Sequence, residues 1–185
     1  NLVDYSDLPE NTIFEETDTK RYYFLQSGAW QDAYTLSASR GVFCGGESSA
    51  SDVNTMDYIT IATTGDATDF GDMVLAREGM GACSSISRGV VAGGNVGGST
   101  DRNEMDYITI GTLGNATDFG DSTISSRYRA GCSNQSRGLF AGGFSTSGST
   151  FHNVIEYITI ATTGNATDFG DMTVGHSDFG GCDNG

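Results

Sequence analysis

From residue 39 onward, short runs of alternating apolar and polar residues recur between glycine-rich breaks. No stretch sustains the 3.6-residue periodicity of an amphipathic helix. The run DYITIA from Asp57 alternates strictly: Ile59 and Ile61 fall on one side, Tyr58 and Thr60 on the other. Its β-branched and aromatic residues suit a strand. RGVFCGG from Arg40 is a short apolar run stopped by a glycine pair. TTGDATDFGD from Thr63 carries Gly65, Asp66 and Gly71 and reads as a turn. A third strand is expected to start near Met73, and a fourth to run through Gly81, Ala82 and Cys83.

This pattern occurs three times. SRGVFCGG, SRGVVAGG and SRGLFAGG open blocks at Ser39, Ser87 and Ser136. Tyr58, Tyr107 and Tyr157 follow at spacings of 49 and 50 residues, and Cys83, Cys132 and Cys182 keep the same spacings. Three repeats of four strands are therefore expected, over 39–86, 87–135 and 136–185. One four-stranded unit of this size cannot bury both its faces alone, whereas stacked copies bury each other's. Residues 1–38 do not share the pattern and are assigned to a separate module.

The doublet Gly45-Gly46, repeated at Gly93-Gly94 and Gly142-Gly143, with Tyr58, Tyr107 and Tyr157 downstream, resembles the Kelch repeat. That resemblance implies an all-β protein built of Kelch-like β-propeller blades. The usual Kelch tryptophan is absent; Phe70, Phe119 and Phe169 come later at comparable places. The longer motif YITIATTGNATDFGD resembles repeats in tail and other virion proteins of phages, particularly those of marine cyanobacteria, and it covers residues 39–185. The N-terminal stretch, with Thr12, Phe14, Glu15, Glu16, Thr17, Asp18, Thr19, Tyr23, Gly28 and Trp30, resembles a small β-hairpin connector of phage tail and fibre proteins. It implies two strands joined through Asp18 and Thr19 and a third near Trp30, a connector or one strand that helps close a ring.

Propellers have about four to eight blades, so three repeats make an incomplete one. The start at Asn1 without methionine and the stop inside the Gly181–Gly185 motif point to a fragment of a longer protein. Closure between subunits, which would make a homo-oligomer, and an open stack are the other ways to meet the geometry.

Charge narrows the partners. The 185 residues hold 24 acidic and 9 basic side chains, a net charge of −15, and Lys20 is the sole lysine. A polyanion repels phosphate backbones and anionic membranes, so neither nucleic acid nor a membrane surface is an expected partner. No apolar window is long enough for a membrane insertion. Such acidity keeps a protein soluble at high ionic strength and suits a salty setting. With 27 glycines and one proline, Pro9, the composition fits short strands and tight turns.

Chemistry is sparse. The two histidines, His152 and His176, occupy unrelated repeat positions, so no histidine-based triad is expected, and no cofactor either. Asp69, Asp72, Asp118, Asp121, Asp168 and Asp171 recur and could offer oxygens to Ca²⁺, but their spacing lacks the pattern of calcium loops. The competing expectation is that Asp66, Asn115 and Asn165 cap turns while Asp69 bonds backbone amides. Arg40, Arg88 and Arg137 are expected to pair with these aspartates. The four cysteines form no CxxC pair, and small buried residues on packed strands are expected at their sites. Asn115, Asn165 and Asn134 fall in glycosylation sequons, although Asp66 at the first equivalent position favours turn chemistry.

The loops after each glycine pair differ most among the repeats. Loops on a rigid β-scaffold often carry recognition, so Asp52, Asp101, Arg102, Phe151 and His152 are candidate ligand contacts. The function that follows from the resemblance is a virion structural protein of a tail fibre, spike or surface appendage. It would contact other virion proteins and attach to a glycan or protein of the host surface. A purely architectural decoration or adaptor protein is the alternative, and a polysaccharide-active enzyme the third.

Overall fold

The structure is a computed structural model that describes residues 13–16, 21–26, 29–32, 40–49 and 51–183. The chain forms two compact units, Asn1–Arg40 with Thr60–Thr64, and Gly41–Ile59 with Gly65–Gly185. Among the described residues the protein is all-β, with a single 3-10 turn at Ser147–Ser149 as its helical content.

The smaller unit holds a three-stranded antiparallel sheet of β1 (Ile13–Glu16), β2 (Arg21–Gln26) and β3 (Ala29–Asp32). Phe14 registers with Tyr23, and Leu25 with Trp30. The strands expected around Asp18-Thr19 and at Trp30 are thus present; the Asp18-Thr19 connection lies outside the described residues.

The larger unit carries the repeats. The first sheet comprises β4 (Arg40–Cys44), β7 (Thr55–Thr60) and β8 (Thr68–Asp72). The second is an antiparallel meander of β9 (Gly81–Ser84), β10 (Arg88–Ala92), β13 (Glu104–Thr109) and β14 (Thr117–Asp121). The third repeats it with β15 (Ala130–Ser133), β16 (Arg137–Ala141), β19 (Val154–Thr159) and β20 (Thr167–Asp171). Each block also carries a hairpin with two residues per strand: β5 (Glu47–Ser48) with β6 (Ser51–Asp52), β11 (Asn95–Val96) with β12 (Thr100–Asp101), and β17 (Phe144–Ser145) with β18 (Thr150–Phe151).

Two strand expectations are corrected. The third strand starts at Thr68, five residues before Met73, so the second half of the motif read as a turn is strand. It tolerates its glycine because each copy contains a bulge: Met56 opposes Gly71 while Asp57 opposes Asp69, which leaves Phe70 as the inserted residue. Gly71 sits at φ 139°, a conformation that side chains other than glycine rarely adopt. The second correction concerns membership. The Gly81–Ser84 strand does not close the repeat that precedes it in sequence. It pairs with β10, with Val90 opposite Cys83. Each sheet is therefore offset by one strand from the repeat: the first two sequence repeats each span two sheets, while in the third the strand expected around Gly181 and Cys182 is not formed and β16, β19 and β20 all belong to one sheet.

The alternation read in DYITIA holds in space. Along β13, Met105 and Tyr107 face the third sheet, and Ile108 faces the first. One cluster joins Val90, Ala92, Met105 and Phe119 of the second sheet to Phe140, Ile158 and Ile160 at the third. The other joins Met56, Phe70 and Met73 to Ile108, with Val91 and Ile110 beside them. The middle sheet is thus buried on both faces. Burying an aromatic or branched side chain contributes about 1.5–3 kcal/mol each, which makes sheet stacking the main source of the fold's stability. The first strands of successive sheets also converge. A Cβ at Gly131 would collide with Ala82 O, and one at Gly138 would collide with Cys83 Sγ. β9 and β15 are built only of glycine, alanine, cysteine and serine, and glycine at 131 and 138 lets the strands approach this closely.

Candidate functional site

The expected ligand contacts collect on the three hairpins, and the structure gives several of them a partner within the protein. Asp52 Oδ2 accepts from Gly97 N of the next hairpin at 2.7 Å, and Asp101 Oδ2 accepts from Thr146 N of the one after at 2.5 Å. These two aspartates occupy equivalent positions and tie the hairpins into a row. Arg127 reinforces the second tie: it lies 3.7 Å from Asp101, and its Nη1 donates to Gly98 O at 2.7 Å. Arg102 forms an ion pair with nearby Glu104. Its guanidinium is therefore partly engaged.

Phe151 stands where the other repeats carry Asp52 and Asp101, and it is 57 % exposed. Its ring tilts against Phe144 at 5.1 Å, and the Arg127 guanidinium lies 5.6 Å from the Phe144 ring. Asp101, Arg127, Phe144 and Phe151 therefore form one contiguous patch, with His152 next along the chain. Sequence reasoning missed Arg127 and Phe144. Arg127 precedes β15 and lies outside the hairpins in sequence, and the isolated bridge between Arg127 and Phe144 brings it there.

His152 Nε2 lies 2.8 Å from Ser145 Oγ. A serine beside a histidine invites a nucleophilic reading, but Ser145 donates its single proton to Ser125 O. The imidazole must then supply the proton to Ser145, and it cannot act as that serine's base. Burial, helped by nearby Arg129 and opposed by Asp101, pushes the His152 pKa down from its ordinary value, which keeps the ring neutral at pH 7.

The recurring aspartates lie on β8, β14 and β20 and do not converge. No group of three His, Cys, Asp or Glu side chains able to hold a metal occurs among the described residues. Asp69, Asp118 and Asp168 sit in strand pairs, opposite Asp57, Asp106 and Glu156. Asn115 Oδ1 and Asn165 Oδ1 reach instead to the preceding sheet, accepting from Asp72 N at 3.1 Å and Asp121 N at 3.0 Å. Asn134 does cap a turn, accepting from Ser136 N and Arg137 N.

The arginine expectation is also corrected for Arg88 and Arg137. Arg88 donates to Ile160 O at 2.9 Å and stacks over Tyr107 at 4.2 Å; Arg137 stacks over Tyr157 at 4.4 Å. Two buried ion pairs between sheets come from other residues. Arg77 lies 3.1 Å from Asp106, and Arg129 lies 2.5 Å from Glu156, all four side chains buried. Asp106 also accepts from Val74 N at 3.3 Å, and Glu156 accepts from Thr123 N at 2.7 Å. Burial pushes both arginines below their usual value against the pull of their acids, and pushes Asp106 up. In the second and third repeats, the acid before the repeated tyrosine is thus a clamp onto the segment that follows the preceding sheet.

A polar cleft of about 210 Å³ opens between the second and third sheets, lined by Tyr157, Thr159, Thr162, Thr163 and Asn165 with Phe119 beneath. No protein-family model and no curated protein sequence matches the chain.

Proposed function

We propose that the protein is a recognition module of a phage virion appendage, in which each four-stranded meander acts as a Kelch-like propeller blade and the row of hairpins contacts a host-surface glycan. The blade reading is supported by the meander order, the face-to-face burial of the sheets and the convergence of β9 and β15 on small residues. The observation that carries the recognition reading is the patch around Phe151. It lies where the repeats differ most, and an exposed aromatic there replaces an aspartate that elsewhere only ties hairpins together. An exposed ring beside an arginine offers a stacking platform and a charged donor, which suit the apolar face and hydroxyls of a sugar.

The test is binding of the full chain to marine cyanobacterial cells and to their extracted surface polysaccharide. Phe151→Ala should weaken binding roughly tenfold or more, as truncation of a central aromatic anchor does. Wild-type protein that binds neither cells nor polysaccharide would sink the recognition reading. It would favour the purely architectural one, which draws support from the use of Asp52 and Asp101 as internal ties.

A further inference from the structure

The two boundaries between sheets are built alike. At the first, Gly114 N donates to Phe70 O at 2.9 Å, Ala116 N donates to Asp72 O at 2.8 Å, and Asn115 Oδ1 accepts from Asp72 N. At the second, Gly164 N donates to Phe119 O at 2.7 Å, Ala166 N donates to Asp121 O at 2.8 Å, and Asn165 Oδ1 accepts from Asp121 N. A Gly-Asn-Ala loop thus satisfies the outer edge of the last strand of the preceding sheet. A Cβ at Gly71 would meet Gly114 O at 2.5 Å, and one at Gly120 would meet Gly164 O at 2.5 Å, so glycine is needed in that strand for the loop to seat. Beneath the loop, Phe70 and Phe119 are each 2 % exposed.

The third sheet offers the same edge with nothing on it among the described residues. Phe169 is 51 % exposed, Asp171 is exposed, and a Cβ at Gly170 would meet no atom within 4 Å. The first repeat carries the matching elements, also uncovered: Gly65, Asp66 and Ala67 are exposed where Ala116 and Ala166 are partly buried. Asp57 is exposed where Asp106 and Glu156 are clamped at 1 % and 0 %. A carboxylate oxygen accepts an amide proton at least as well as an asparagine oxygen, so Asp66 can do for Asp171 N what Asn165 does for Asp121 N.

We infer that the β20 edge of one copy receives the Gly65–Ala67 loop of a second copy, head to tail. The choice of occupant rests on this chain's own repetition, because the complementary surface has been built twice inside it. An unpaired strand edge is a template for pairing, and a head-to-tail contact closes into a ring when its rotation permits. Two copies supply six sheets, within the four to eight that close a propeller. The inference needs neither the virion setting nor a glycan.

The test is sedimentation of the full chain, Phe169→Arg and Ala67→Arg, each alone and mixed. The first variant blocks the edge and the second blocks the loop, and both positions are exposed in the single chain, so both variants should keep the wild-type circular dichroism. The expected result is a wild-type dimer, loss of dimer in each variant, and return of a dimer when the two variants are mixed, since one intact edge and one intact loop then meet. Wild type that stays at the 19.4 kDa of one chain, or variants that each still dimerise, would overturn the inference.

Discussion

At the scale of single residues, position within the stack decides chemistry more than residue type does. Cys83, Cys132 and Cys182 are equivalent in sequence, and all are free thiols, yet Cys83 is buried, Cys132 half-buried and Cys182 exposed. The expectation of one buried cysteine per repeat holds for Cys83 and fails for Cys182. Burial pushes the Cys83 thiol up to about 12 and Cys44 up to about 11. At pH 8 the reactive thiolate of Cys83 is then on the order of one part in 10⁴. Iodoacetamide should label Cys182 within the native protein and reach Cys83 only after denaturation, as read by peptide mass spectrometry. Rapid native labelling of Cys83 would contradict the packing around it. His152 gives a second expectation. Its folded pKa lies below 6.5, so the unfolded chain binds the proton more readily as pH falls through that value. The His152 contribution to stability is therefore whole above the ordinary histidine range and is lost as pH falls below it. His152→Gln should flatten the fall in melting temperature between pH 7 and pH 5, compared with wild type.

At the scale of elements, the sheets are held by paired apolar faces and by buried acid clamps. Removing one partner of a buried ion pair leaves an uncompensated charge and costs about 3–5 kcal/mol. Arg129→Met should therefore destabilise the fold severely by isolating Glu156. The double change with Glu156→Leu should recover much of that loss, since an apolar pair of similar volume replaces two desolvated charges. Urea melts of the two variants decide it; a double variant weaker than the single would mean that the amide bond from Thr123 to Glu156 outweighs the charge. Much at this scale was legible in the sequence: three repeats, their period, the alternation in DYITIA and the glycine doublets. Gly93 shows why the doublets matter. It sits at φ 69°, and a Cβ there would collide with Ser126 O. What was not legible is which strands share a sheet. Period alone is blind to a one-strand offset, because shifting every boundary by the same amount leaves the repeat unchanged. The roles of Asn115, Asn165, Arg77 and Arg129 stayed hidden for a related reason. Each acts across a boundary between sheets, and local spacing cannot distinguish a residue that caps its own turn from one that reaches its neighbour. The hairpin ties of Asp52 and Asp101 are of the same kind, whereas the variability of the loops that carry Phe151 and His152 is visible in the sequence itself.

At the scale of the whole molecule, charge opposes association. Each chain carries a net charge of −15, so two copies repel strongly at low ionic strength. The edge contact proposed for β20 is made of backbone hydrogen bonds and an apolar ring, which salt leaves largely intact, while the long-range repulsion is screened within about 8 Å at physiological ionic strength. Dimerisation should therefore strengthen as sodium chloride rises, the reverse of an interface built on opposite charges. The contact also lacks one tie that the internal boundaries possess, because Phe151 replaces the aspartate that would hold the next hairpin. Phe151→Asp restores the residue found at positions 52 and 101. On the first hairpin, Ser49 holds the place that Gly97 and Thr146 hold on the other two, and it is exposed. If the hairpin row continues from one copy to the next, Phe151→Asp should tighten the dimer through a new bond from the Ser49 amide of the incoming hairpin, while abolishing sugar stacking on the aromatic patch. Sedimentation equilibrium across a salt series, run on wild type and Phe151→Asp together, separates the two effects. Weaker association at high salt would mean that charge complementarity drives the contact, and an unchanged dimer in the variant would mean that the hairpins of successive copies do not meet.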